Sequence, residues 1–197
     1  MSHQIFTIGH SNHSLEEFIG LLQQHGITAI ADVRSHPHSR HYPQFNKSEL
    51  ETSLKNAGIR YVFLGAQLGA RPSNQDCYDP TGKALYDRIA ATPEFAEGIQ
   101  RLLKGLESYK IALMCAEKDP ITCHRTILIC QNLKNFDLDI QHILADGHLE
   151  SNETLENNLL EMYGLHQLSL FDQRSLEQRL REAYQRQGNK IAYIQET

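Results

Sequence analysis

The stretch KIALMCAEKDPITCHRTILICQNL, residues 110–133, decides the fold. From Ile111 to Cys115 it is a continuous apolar run, the pattern of a strand buried on both faces of a sheet. A short polar turn with Glu117, Asp119 and Pro120 follows, and a helical run opens around Cys123, His124 and Arg125. Strand, turn and helix in that order form the repeating unit of a parallel α/β sheet.

Outward from this stretch the same alternation recurs. QIFTIGH (4–10) reads as a strand, and SLEEFIGLLQQHG (14–26) as a helix with Ser14 and Glu17 as a capping box and Gly26 as terminator. Leu15, Phe18, Ile19 and Leu22 fall on one face of that helix. TAIADVR (28–34) is a second strand, NKSELETSLKNAG (46–58) a second helix capped by Asn46, and IRYVFLG (59–65) a third strand. A long polar loop from Gly65 to about Gly82 precedes two helical stretches, KALYDRIAA and PEFAEGIQRLLKGLES. IQHILADG (140–147) supplies a fifth strand after the helix that follows Cys123.

The order predicts an α/β fold: an open, mainly parallel, five-stranded sheet covered by helices on both faces, Rossmann-like, over residues 1–150. Residues 151–197 form a helical C-terminal appendage: ESNETLENNLLEMYG, then LHQLSLFDQ without a clear period, then SLEQRLREAYQRQG with Leu176, Leu180 and Tyr184 on one stripe. No G-x-G-x-x-G follows the first strand, so no dinucleotide is expected and no cofactor is assigned.

A chain of 197 residues holds one such domain with a real core. Its net charge of −5 argues against a general polyanion-binding surface. Cys77, Cys115, Cys123 and Cys130 are irregularly spaced, and the N-terminus carries no charged-then-apolar leader. These features predict reduced thiols in the cytoplasm. No run approaches the ~18 apolar residues of a membrane span. Oligomeric state is not encoded in any motif here.

In an open parallel sheet the loops after the strands share one rim, where ligands bind. His10, His13, His36, His38, His41 and His124 fall in those loops or on the next helical turn, with Arg34, Arg40, Arg71 and Arg125. Guanidinium groups, imidazoles and helix amides together suit a phosphate or carboxylate. Arg34 and Arg125 are expected to hold the anion, with His10, Arg71 and Cys115 beside it, and to be removable at little cost in stability.

Cys123, near a helix start, is the expected nucleophilic thiolate, and Glu117 and His124 the acid–base candidates. Asp119–Pro120 and Thr122 are competing helix starts. Only the later one lets Cys123, His124 and Arg125 converge, because helical residues are ~100° apart. Cys77 and Cys130 read as core residues. The phosphatase spacing of cysteine, five residues, arginine is absent, since position 121 is Ile121. A metal reading would use Cys115, Cys123 and His124, with His10 as a further ligand. Cys-x7-Cys-His is not a standard zinc spacing, so no metal is assigned.

TIGHS, DVRSHPHSR with Phe45, LGAQLGARP and MCAEKDPITCHR resemble the motif set of the bacterial domain of unknown function 488 family, over about residues 4–150. The resemblance implies a single α/β domain and no established activity. It marks His10, Ser11, Asp32, Arg34, Pro37, Ser39, Gly65, Leu68, Gly69, Cys115, Glu117, Cys123, His124 and Arg125; Ser11, Asp32 and Ser39 join the substrate-binding set on this ground.

Taken together, these readings describe an enzyme, a hydrolase or transferase, acting on a phosphorylated or nucleotide-like substrate, in a setting of DNA maintenance. The alternative is a non-catalytic module for an anion or a nucleic-acid end, recruited through a partner. Gln167, Leu168, Leu170 and Phe171 suggest the partner, because QLSLF resembles the peptide with which bacterial replication and repair proteins dock on the DNA sliding clamp.

Overall fold

The computed structural model describes residues 3–166 and 173–195. Its strands are β1 (His3–Gly9), β2 (Ala29–Asp32), β3 (Arg60–Phe63), β4 (Ile111–Cys115), β5 (Leu138–Ile143) and β6 (Leu149–Ser151). They form one sheet in the order β3-β2-β4-β1-β5-β6. All neighbours are parallel except β5 and β6, which run antiparallel. The sheet therefore has six strands where five were expected. β6 escapes a periodicity reading because three residues, Leu149, Glu150 and Ser151, cannot display an alternation. It returns on β5 through a tight turn in which Gly147 takes φ +85°.

Eight α-helices accompany the sheet among the described residues: α1 (Leu15–Gln24), α2 (Lys47–Asn56), α3 (Gly65–Leu68), α4 (Tyr86–Ala90), α5 (Pro93–Leu106), α6 (Gln131–Leu133), α7 (Asn152–Met162) and α8 (Leu176–Ile191). A π-helical segment, Arg125–Cys130, leads directly into α6. The capping box of α1 is present: Glu17 N donates to Ser14 Oγ at 3.1 Å, and Ser14 N donates to Glu17 Oε2 at 2.8 Å. Asn46 precedes α2 as expected, but its side chain does not cap the helix. Its Oδ1 accepts from Ser39 N at 2.7 Å and fixes the loop after β2 instead.

The two faces of the sheet carry different helices. Phe18 and Leu22 of α1 and Leu50 and Leu54 of α2 pack with Phe6, Ile8, Ile30, Ala112 and Met114. On the other face Phe95, Ile99 and Leu102 of α5 and Leu128, Ile129 and Leu133 of the π–α6 run pack with Ile5, Ala31 and Leu113. β1 and β2 thus send their chains to one face, while β4, which lies between them, sends its chain to the other. That reversal opens a crevice at the carboxyl end of β4, where Cys115 stands.

The C-terminal helices are built into the body. Leu155, Leu159 and Leu160 of α7 and Ala183 and Tyr184 of α8 bury Ile121 and Ile127, and Gln187 Nε2 donates to Ile121 O at 2.7 Å. Leu176, expected on the apolar stripe of α8, is exposed; the buried stripe begins farther along at Arg179. After α8 the chain returns to the loop before α4: Ala84 N donates to Tyr193 O at 2.8 Å and Gln195 N to Gly82 O at 2.9 Å. The clamp-like peptide at 167–171 lies outside the described residues. Among the described residues no helix is long and apolar enough to cross a membrane.

Candidate functional site

Glycine at two strand exits lets the rim close tightly. A Cβ on Gly9 would lie 1.9 Å from Glu117 O, and one on Gly65 would lie 1.9 Å from Arg34 O. Backbone therefore meets backbone between the β1 and β4 exits, and between the β3 and β2 exits. His10 N donates to Cys115 O at 2.9 Å and Ser11 N to Ala116 O at 3.0 Å, continuing the β1–β4 pairing past the strand ends. Ser11 then takes φ +47°, an uncommon conformation for a residue with a side chain, and turns the loop back over the rim.

Of the two helix starts expected from sequence, the turn after β4 realises the one at Asp119–Pro120, as a single short turn; Thr122 caps nothing, its Oγ1 donating to Asp119 O at 3.0 Å, and the longer helical run begins two residues later than a Thr122 cap would place it. Asp119 caps a 3₁₀ turn over Pro120–Thr122, with its Oδ1 accepting from Ile121 N at 3.0 Å. Cys123 is then extended, at φ −124° and ψ 140°, and the helix proper begins after His124. That one extended residue lets Cys123 and His124 turn their side chains to a common point. Cys115 Sγ is 2.9 Å and Cys123 Sγ 3.1 Å from Glu117 Oε2. His124 Nδ1 is 3.6 Å from Cys115 Sγ and 4.0 Å from Cys123 Sγ. His124 Nε2 lies 3.0 Å from Val33 O and carries a proton directed there, which leaves Nδ1 as the ring nitrogen that faces the sulfurs.

Within this cluster the two thiols differ. Burial alone would push the Cys123 thiol up, but the hydrogen bond from Cys115 and the charges of Arg125 and His124 hold it well below the usual thiol range. The same bond to Cys123, together with burial, pushes Cys115 up. Cys77 and Cys130 are buried in the core, and burial raises the Cys130 thiol to about 12.

An open cleft of about 710 Å³ lies above the cluster. Of the expected site residues, His10, Ser11, Arg34, Ser39, Arg71, Cys115, Glu117 and His124 line it, together with His36, His38 and His41. Three others do not line it. Cys123 is buried behind Cys115 and His124, which leaves Cys115 as the thiol facing the cleft. Asp32, fully buried, accepts from Arg34 Nε at 2.9 Å, Arg34 Nη2 at 2.6 Å and Tyr61 OH at 2.7 Å. It holds an arginine in place without reaching a ligand.

Arg125 departs furthest from expectation. Its guanidinium is fully buried beneath the turn, where Nη1 donates to Glu117 O at 2.7 Å, Nη2 to Lys118 O at 3.3 Å and Nε to Thr7 Oγ1 at 3.4 Å. It shapes the site from below, and its burial and three hydrogen bonds lead us to expect a stability cost on removal, where the sequence suggested little.

Arg34 is held as firmly, yet it faces the cleft. Besides Asp32 it donates to Phe45 O at 2.9 Å and, through Nη1, to His10 Nε2 at 3.3 Å. Of its five N–H groups one on Nη1 remains for a ligand. His10 accepts from Arg34 and turns Nδ1 to Ser11 O at 3.0 Å, the arrangement of a neutral ring. Burial and the Arg34 charge lower its pKa to about 4. Its ring stacks on Phe45, with centroids 4.3 Å apart.

Part of the outer wall has no signature in the sequence. Tyr86 of α4, Ile191 of α8 and Tyr193 line the cleft, and the Arg71 guanidinium lies 4.3 Å above the Tyr193 ring. These residues come from segments read as ordinary helix or tail, and only the return of the chain after α8 brings them to the rim.

No curated protein and no solved structure shows significant similarity to the chain. The family model described as "Domain of unknown function DUF488" matches residues 14–131, from the start of α1 through the site turn and the π-helical segment. That match spans more than half of the 197 residues, and the chain belongs to the DUF488 family.

Proposed function

We propose that the cleft binds a phosphorylated or nucleotide-like anion and that the chain acts on it as a hydrolase or transferase. One observation carries this reading: in a chain of net charge −5, the cleft gathers the Arg71 guanidinium, the remaining N–H of Arg34 and the imidazoles of His36, His38 and His41, against one lining carboxylate among the described residues, Glu117. A concave site so rich in N–H donors, with an unpaired guanidinium at its wall, favours anions more than the surrounding acidic surface does. Arg71 supplies an exposed guanidinium, and Arg34 supplies its one remaining N–H from a fixed position. Glu117, exposed beside Cys115, is the group available for proton exchange with a bound ligand.

The test is calorimetric titration with pyrophosphate and nucleotides. Arg71→Ala is expected to weaken binding about tenfold, the loss of one charge-assisted contact, with an unchanged melting temperature. Glu117→Gln is expected to retain binding and lose turnover. Absence of binding at millimolar ligand, or binding indifferent to Arg71, overturns the reading. A Glu117→Gln chain as active as the native one favours a binding module for an anion or nucleic-acid end. As part of the same proposal, Gln167, Leu168, Leu170 and Phe171 recruit the chain to a bacterial sliding clamp, and so to DNA that an acidic protein does not attract by itself.

A further inference from the structure

We infer that Cys115, Cys123 and His124 hold a zinc ion on the floor of the cleft, with Glu117 as an exchangeable fourth ligand. The four donor atoms lie within 4.8 Å of one another. The separations given above, 2.9, 3.1, 3.6 and 4.0 Å, bracket the edges of a zinc tetrahedron. Zinc–sulfur bonds of about 2.3 Å and zinc–nitrogen or –oxygen bonds of about 2.0 Å give edges of roughly 3.3–3.8 Å. Small side-chain adjustments therefore bring all four atoms to bonding distance.

The surroundings of the donors suit a metal in three further ways. His124 spends its Nε2 proton on Val33 O, the outer hydrogen bond that metal-bound histidines commonly make, and leaves Nδ1 free as a donor of electrons. Arg125 N points at Cys123 Sγ from 3.4 Å, as an amide does toward a metal thiolate. The charges also balance: two thiolates and one carboxylate around a dipositive ion leave one negative charge, and the fully buried Arg125 guanidinium below the turn offsets it. Both sulfurs bind as thiolates, so the proton still on Cys115 is released to solvent.

The donor set identifies the ion. Two sulfurs, an imidazole and a carboxylate in tetrahedral array favour zinc over magnesium or calcium, which prefer all-oxygen shells. The placement of Glu117 gives the site its character. Cys115, Cys123 and His124 are buried, whereas Glu117 is exposed on the cleft side. Three fixed ligands and one displaceable position are what a zinc ion needs to accept a water or a ligand oxygen. Metal binding does not depend on the cleft's ligand being an anion, and it is measured with no ligand present.

The experiment uses the untagged full chain from zinc-supplemented cells. Elemental analysis is expected to give close to one zinc per chain. Replacement by Co2+ is expected to give a thiolate-to-cobalt charge-transfer band and tetrahedral d–d bands. Cys123→Ser should abolish the charge-transfer intensity of one sulfur and weaken zinc by at least about 100-fold, and Glu117→Gln should weaken it about tenfold and shift the d–d bands. Because Glu117 is exposed, that variant reports on the site even where the cysteine variant does not fold. A native chain with far less than one zinc that binds added zinc more weakly than about 10 µM overturns the inference. So does a Co2+ protein without thiolate charge transfer. Bands unchanged by Glu117→Gln overturn the assignment of the fourth ligand.

Discussion

His142 lies fully buried between two polar neighbours, with Nδ1 2.9 Å from Thr7 Oγ1 and Nε2 3.3 Å from Asn152 Oδ1. Thr7 in turn accepts from Arg125, so a relay of hydrogen bonds runs from beneath the site turn to the start of α7. Burial, with the Arg125 charge, lowers the His142 pKa to about 4 from an ordinary 6.5. Above 6.5 the ring is neutral in both folded and unfolded chains. Between 6.5 and 4 only the unfolded chain takes up the proton, so stability falls as the pH drops through that window. The urea midpoint is expected to report a loss of about 2 kcal/mol from this residue between pH 7 and pH 5, and His142→Gln is expected to remove that share of the slope. Nothing in IQHILADG announces this, since a histidine in an apolar run looks the same whether it is buried or solvated. By contrast Cys115, Glu117 and His124 were legible, because they sit at the end of an unmistakable strand, and a strand end in such a sheet is a place on the rim.

The turn between β4 and the π-helical segment explains why the site was only half readable as an element. The Asp119–Pro120 start gives only one 3₁₀ turn, and an extended Cys123 separates it from a helical run that begins after His124, where neither expected start lay. Capping rules identify starts one at a time and have no term for a single extended residue between two helical pieces. The spacing of the proposed zinc ligands was unreadable for the same reason: spacing rules assume a continuous loop or helix. Arg125 holds this element together through the carbonyls of Glu117 and Lys118. Its replacement by alanine leaves a large hole in the core and two partly buried carbonyls without their donor, and Arg125→Ala is expected to cost about 3 kcal/mol or more in urea unfolding. Arg71→Ala, on an exposed side chain, is expected to stay within about 0.5 kcal/mol. Equal effects of the two changes would mean that Arg125 carries no more of the turn's stability than a surface residue does.

For the molecule as a whole, the α/β class, the parallel sheet and the helices on both faces followed from continuous apolar strands alternating with capped amphipathic helices. The strand order did not, because adjacency in a parallel sheet depends on which way each crossover turns. Nor did the closure of the cleft by residues from α4, α8 and Tyr193, which are far from the rim motifs in sequence. The proposed clamp contact also belongs to this scale, since it would position the entire chain on DNA. Titration of the native chain with purified sliding clamp is expected to show micromolar binding that Leu170→Ala/Phe171→Ala abolishes; no heat at tens of micromolar native chain would end that proposal.

The segment that pairs with Gly82 and Ala84 sets Tyr193 beneath the Arg71 guanidinium at the mouth of the cleft. A molecule bound against both residues can be held only while that segment is docked. Occupancy and docking are therefore linked, and the ligand contributes its own binding free energy to keeping the segment in place. Proteases that cut after Lys190, at the end of α8 beside that segment, only when the chain there lifts away would then be slowed in proportion to saturation. The rate of trimming at that end becomes a titration curve for a ligand whose identity need not be known beforehand.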